Sequence, residues 1–374
     1  MYRGTGSNRK PVDWAEATVT VIDPLPNPTT ITAPSKTNIL WMPNRANTSR
    51  SLAKGEQATA IGEVGDWWCI SWNDGTYGFV EKTKTPAFQF EAGLPASLID
   101  SFSTQGFAAD STVDTTYCYA FRISQDETKH VLYRYNMTTS GGLAAPMTPI
   151  NNPGTGDPIG DLLHANDVAL VIIGSNKFMY VLAGDEIVKL GYDGNGNYWE
   201  TNRYSTDKRY AGITFIKHVN VAGVDKVRFL LKGGTENNYY YIADIGPNDT
   251  SVTAGSHKFI TNRSPYVDAT HGTQGIHYDR SNKKLYLTIS GKEKAAGMGH
   301  ESAILVYNYD VENISGTITH DGNPWHFSVE EGKMFEVEGC GINNGVIWFS
   351  TNEDRLMAGF PYPGSIYTAT RRIQ

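Results

Sequence analysis

The chain has 374 residues, 19% of them charged, and a formal net charge of −7 with a pI near 5.7. That balance excludes a surface built to wrap nucleic acid, which needs a basic face, and no stretch is apolar and long enough to span a bilayer. Aromatics at 11%, 38 Gly and 21 Tyr favour strands and turns over helices, so the expectation is an all-β chain of two or three domains.

Residues 1–32 open with a locally basic Met1 to Lys10, then carry Pro11, Pro24, Pro26 and Pro28 with little apolar periodicity. They read as an extended Pro-rich arm, either a plain linker or an arm that docks to a neighbouring protein. Met1-Tyr2-Arg3-Gly4-Thr5-Gly6-Ser7 lacks the apolar core of a secretory signal. The expectation is therefore a virion-associated or extracellular protein that travels without a recognisable signal peptide.

Residues 33–85 hold an ordered set of short strands. Thr37-Asn38-Ile39-Leu40-Trp41-Met42-Pro43 is followed by a Lys54-Gly55-Glu56 turn, then Gly65-Asp66-Trp67-Trp68-Cys69-Ile70 and Gly75-Thr76-Tyr77-Gly78-Phe79-Val80. Asn73-Asp74-Gly75 between the last two is a hairpin signal. Strands at this spacing predict a small barrel, and the set resembles a bacterial SH3 domain. The resemblance implies binding to a bacterial cell wall. The usual Asn, Val, Arg, Ser and Gly block after the first strand is replaced by Leu40-Trp41-Met42-Pro43-Asn44, near where relatives bind peptidoglycan peptides. Trp41 and Trp67 are the candidate ligand contacts here.

A breaker-rich stretch from Thr85-Pro86 to Gly93-Leu94-Pro95 then marks a boundary. Residues 86–99 are read as a linker or as a ring-closing strand for the large C-terminal region.

Residues 100–374 carry a weak internal repeat of five copies. They are Ser103-Thr104-Gln105-Gly106-Phe107, His164-Ala165-Asn166-Asp167-Val168, Arg209-Tyr210-Ala211-Gly212-Ile213, Gly272-Thr273-Gln274-Gly275-Ile276 and Glu336-Val337-Glu338-Gly339-Cys340. Each leads through a turn into a second apolar strand, and the spacing leaves room for four strands per copy. Repeats this long built from strands alone predict a five-bladed β-propeller. The fifth copy runs short of one outer strand after Ser365-Ile366-Tyr367-Thr368-Ala369-Thr370, and a strand from residues 86 to 103 would cover the edge left open. The region resembles the helveticin J family of large bacteriocins and related phage and bacterial proteins in its Gln-Gly and His-Ala motifs. That resemblance implies a propeller acting at Gram-positive envelopes and brings no catalytic residue set with it.

Because the first strand of every blade lines the axis, the candidate ligand-binding residues are Gln105, His164, Asn166, Asp167, His271, Gln274, Glu336 and Glu338. Amides and carboxylates there suit sugar hydroxyls, and Tyr210, Trp325 and His326 on nearby loops would cover a ring face. The competing reading of the same residues is hydration of the channel and capping of backbone groups. If the chain is an enzyme, Asp167, Glu336 and Glu338 supply the acid and base of a glycoside hydrolase. No Gly-x-Ser-x-Gly elbow, His-Glu-x-x-His motif or phosphate loop occurs.

No cofactor or metal is expected. His164 and His271 lack a clustered third ligand, and Cys69, Cys118 and Cys340 show no metal spacing. Asp193-Gly194-Asn195-Gly196-Asn197 imitates the start of a calcium loop, yet Tyr198 and Tyr204 stand where that loop needs Gly and Glu, so a hairpin tip is expected. Residues 291 to 301 are read as a Gly-rich rim loop. The functional expectation is non-enzymatic binding of a cell-wall or surface glycan by a phage tail component or a bacteriocin. The alternatives are a propeller glycoside hydrolase and a structural docking protein of a virion.

Overall fold

The computed structural model describes residues 2–3, 10–11, 23–32, 37–40, 48–52, 57–64, 67–71, 76–81 and 87–95. It also describes 101–370 apart from 140–141, 235–237, 264–271, 294–299, 315, 322–324, 329–334 and 354–363. The chain forms two units, residues 1–85 and 86–374.

The first unit contains a six-stranded sheet. Strand Gln57–Val64 pairs antiparallel with Trp67–Ser71, which pairs with Tyr77–Glu81, and Ile31, Leu52, Ala58, Ala60, Trp68, Ile70 and Val80 form its core. One boundary moves. Asp23–Thr32, read from sequence as part of the arm, is a strand that pairs with Gln57–Val64. Proline is tolerated there because the ladder skips from Pro24 to Thr29, where the register shifts. The rest of the arm between 12 and 22, the two turns at 53–56 and 72–75, and Trp41 lie outside the described residues.

The second unit is a five-bladed propeller made of five separate sheets whose main strands pair antiparallel. The innermost strands are Ser101–Ala108, Val168–Ile173, Tyr210–Val221, Gly272–Asp279 and Phe335–Asn343, one per blade in chain order. Behind them stand Tyr117–Ser124, Asn176–Ala183, Val224–Gly233, Lys284–Glu293 and Val346–Glu353, each paired antiparallel with its inner strand. Third strands and short outer edges complete the blades. In blade 5 the outer edge is Ala87–Gly93, paired antiparallel with Gly364–Thr370. Blade 2 is edged by Thr148–Pro149 and Ser251–Val252, which arrive from its two neighbours and pair in parallel with its outer strand.

The core explains the near-continuous apolar runs in the inner strands. A blade is covered on both faces, so consecutive residues alternate between two interiors. In Val168-Ala169-Leu170-Val171, Val168 and Leu170 join the cluster shared with blade 1, while Ala169 and Val171 join the one shared with blade 3. The other three clusters sit between blades 3 and 4, between 4 and 5, and between 5 and 1.

Asp193 shows why the loop at 193–197 is a turn. Its Oδ1 accepts the backbone N–H of Asn195 and of Asn197, and its Oδ2 accepts the Asn197 amide, leaving the carboxylate spent inside a hairpin between Glu186–Tyr192 and Asn197–Thr206. The three cysteines are free and buried. Among the described residues no group of three His, Cys, Asp or Glu could hold a metal ion, and no helix is long and apolar enough to cross a membrane.

Candidate functional site

The five repeat copies turn out to mark a backbone irregularity. The ladder between first and second strands slips between Thr104 and Phe107, between Tyr210 and Gly212, between Thr273 and Ile276, and between Val337 and Gly339. Each slip is a β-bulge at the repeat's central pair of residues. In blade 2 the inner strand starts at Val168, directly after the equivalent Asn166-Asp167. A bulge bends its strand and re-aims one side chain. Gln105, Asn166, Ala211, Gln274 and Glu338 therefore hold equivalent positions around the axis, four of them polar.

The residue after each bulge is Gly in four blades, and the reason is contact between inner strands. A Cβ on Gly106 would lie 2.6 Å from the Ala165 carbonyl oxygen and 2.7 Å from Val168 Cγ2. On Gly212 it would meet Ile276 Cγ1 at 2.9 Å, and on Gly339 the Phe107 backbone at 3.0 Å. Gly275 faces Asp167 itself, its would-be Cβ 2.9 Å from Oδ1. The four glycines clear a space and Asp167 fills it.

Asp167 is fully buried. Its Oδ1 accepts the N–H of Val168 at 2.9 Å, and its Oδ2 accepts those of Ile213 at 2.8 Å and Ile276 at 3.0 Å. One side chain thus ties the inner strands of blades 2, 3 and 4. Burial pushes its carboxyl well above the ordinary range, while the three backbone donors pull the other way. Read from sequence as a ligand contact or a catalytic acid, Asp167 is instead an enclosed axial tie, with both oxygens occupied and no surface for a substrate.

Bulges free backbone groups that must find other partners. Second-strand side chains take them up: Thr288 accepts the Gly275 N–H at 2.7 Å and donates to the Gly275 carbonyl at 3.1 Å. Asn352 accepts the Thr104 N–H at 2.6 Å, and its amide donates to the Thr104 carbonyl at 3.1 Å and to Glu338 Oε1 at 2.6 Å. Neither Thr288 nor Asn352 stood out in the sequence. Only their register opposite a bulge signals the role.

What is left for a ligand lies at the end of the ring where the inner strands begin. Gln105 is buried, its amide donating to Ser103 Oγ at 3.0 Å, whereas Gln274, half-buried, donates to Ser290 Oγ at 3.0 Å. Asn166 and Glu336 are also half-buried. Glu338 is 2% exposed and its Oε1 accepts the Asn352 amide. Burial and the neighbouring Glu336 push its carboxyl well above the ordinary value of 4.5. A buried Lys232 stands at the end of blade 3's second strand, held down to about 7 by burial and by Arg263.

Three of the other candidates are engaged elsewhere in the propeller. His164 is engaged at 2.8 Å by Glu127, on the turn of blade 1 between its second and third strands, so the rim of blade 1 holds it. Tyr210 is buried and donates to Asp207 at 2.7 Å, and Trp325 is packed in the core between blades 4 and 5; neither is available to cover a sugar. His326 lies in strand Trp325–Ser328. Trp67 is half-buried in strand Trp67–Ser71. His271 and the centre of the loop at 291–301 lie outside the described residues.

The raised carboxyl gives a testable sign. A carboxyl whose pKa is higher in the folded chain contributes stability that is complete below 4.5 and is lost as pH rises through the folded value. Glu338→Gln keeps the acceptor for Asn352 and removes the titration. Thermal melts of the variant are expected to be flatter above pH 4.5 than those of the native protein; parallel curves would show that Glu338 is ionised in the fold.

No family profile matches the chain, and no curated protein does. Among solved structures it is similar to an α-L-arabinofuranosidase from Podospora anserina, at 10% identity and a TM-score of 0.43 over 75% of this chain and 94% of that one. It is also similar to a GH43 endo-arabinanase from Bacillus licheniformis, at 13% identity and 0.41 over 75% and 96%. A third likeness is to the Dos1 propeller, at 10% identity and 0.27 over 89% and 71%.

Proposed function

We propose that the propeller binds a glycan at the end of the ring where the half-buried Asn166, Gln274 and Glu336 stand, with the buried Gln105 and Glu338 behind them, without cleaving it, as the receptor-binding part of a phage tail or a released bacteriocin. The observation that carries this reading is the recurrent bulge, which brings an amide or carboxyl from four of five blades to equivalent positions around one axis. Amides and carboxyls together offer both donors and acceptors, which is what sugar hydroxyls require. The first unit fits the same role through its resemblance to cell-wall-binding SH3 domains.

The carboxyl geometry favours binding over hydrolysis. A glycosidase needs two carboxyls set apart across the scissile bond, but Glu336 and Glu338 are neighbours two residues apart on one strand and Asp167 is enclosed. A glycoside hydrolase remains the second reading on one observation: a buried carboxyl, Glu338, stands beside a second one, Glu336, and burial and that neighbour raise it in the way such chemistry uses.

Pull-down of the full chain on Gram-positive cell walls, with assay of released reducing sugar, tests both. Binding without release is expected, and Gln274→Ala and Glu336→Gln should each weaken it by about tenfold with the melting temperature unchanged. Sugar release abolished by Glu338→Gln would establish the hydrolase instead. Absence of binding to any cell wall would leave a docking role in a virion.

A further inference from the structure

At the opposite end of the ring, the turns that follow the inner strands of blades 1, 4 and 5 line a half-open cavity of about 200 Å³. His277, on the blade 4 inner strand, lines it and is only 9% exposed. Among the described residues neither of its ring nitrogens has a hydrogen-bond partner. A polar ring held this deep finds its partner in the space it faces.

The charges around the cavity are already spent on one another. Asp110 Oδ1 accepts the Thr112 N–H at 2.9 Å and its hydroxyl at 2.6 Å, and Oδ2 accepts Arg280 Nη2 at 2.7 Å. Arg280 also donates to the Thr112 hydroxyl and to the Phe215 carbonyl, with its guanidinium 4.6 Å from the Phe215 ring centre. Asp279 is consumed by the N–H of Ser281 at 3.0 Å, the N–H of Asn282 at 3.2 Å and the Asn282 amide at 2.7 Å. No cation or anion is called for. Burial holds the imidazole below its ordinary value, so at neutral pH it offers one donor and one acceptor, the pairing of a hydroxyl group.

We infer that this cavity is a second ligand site, taking a neutral polyol the size of one monosaccharide that hydrogen-bonds to His277. It is separate from the glycan mouth, and either can fail without the other.

The test is NMR of the full chain labelled with ¹⁵N-histidine, titrated in turn with glucose, glycerol and inorganic phosphate, with His277→Phe identifying the signal. Glucose is expected to move the His277 ring resonances saturably, phosphate not to move them, and Gln274→Ala at the mouth to leave the response intact. Ser111→Phe, which fills the cavity, should abolish it. The inference is overturned if neither glucose nor glycerol moves the signal, if phosphate alone does, or if the response survives Ser111→Phe.

Discussion

Asp167→Ala is expected to cost roughly 3 to 9 kcal/mol, since each of three buried backbone N–H groups left without an acceptor costs about 1–3 kcal/mol. Against a total stability on the order of 5–15 kcal/mol for a folded domain, that is enough to unfold the propeller or empty the soluble fraction. Asp167→Asn keeps one oxygen for Ile213 and Ile276 but turns an N–H₂ toward the Val168 N–H, so its loss should be intermediate. Denaturant titration of the full chain checks the order Asp, Asn, Ala. If Asp167→Ala melted like the native protein while losing glycan binding, the axial tie would be wrong and the residue would belong to the ligand site.

The second large effect is steric. Gly341 on the blade 5 inner strand lies so close to blade 1 that a Cβ there would run into the Ala109 carbonyl, with the Ala109 nitrogen only 2.5 Å away. The two strands are joined at this point: Ile342 donates to the Ala109 carbonyl at 2.9 Å and Ser111 to the Ile342 carbonyl at 3.1 Å. Gly341→Ala must therefore part a backbone pair, at a cost of about 3 kcal/mol or more. Gly194→Ala, at a hairpin tip with nothing within 4 Å, is the control and should change stability by less than about 0.5 kcal/mol. Equal melting temperatures for the two variants would mean that the inner strands can separate freely.

The propeller was legible because a blade's signature is local. Five copies of a small polar stretch leading into two apolar strands survive in the sequence even when little else repeats, and all five second strands lie where those runs predicted them. The bulges were not legible. Gln105-Gly106 and Gln274-Gly275 look like a motif for function, and only the pairing register shows that the Gly answers a neighbouring strand's approach. The same limit explains Asp167. Sequence gives a carboxylate on an inner strand, but three donors from three blades meet it only when the ring closes. Tyr210 and Trp325 misled in the opposite sense, since an aromatic beside a polar repeat reads as a ligand cover until its hydroxyl or ring is found inside a blade interface.

Ala87–Gly93, the outer strand of blade 5, leaves the ribosome before any blade exists, and its partner Gly364–Thr370 emerges only after all five inner strands have been synthesised. An extended segment whose Ala92 is fully buried in the finished ring must wait exposed through that interval, with both edges open to foreign strands. Pairing across so large a sequence separation is slow, which makes closure of the ring by this strand the late step of folding, however stable the closed ring becomes.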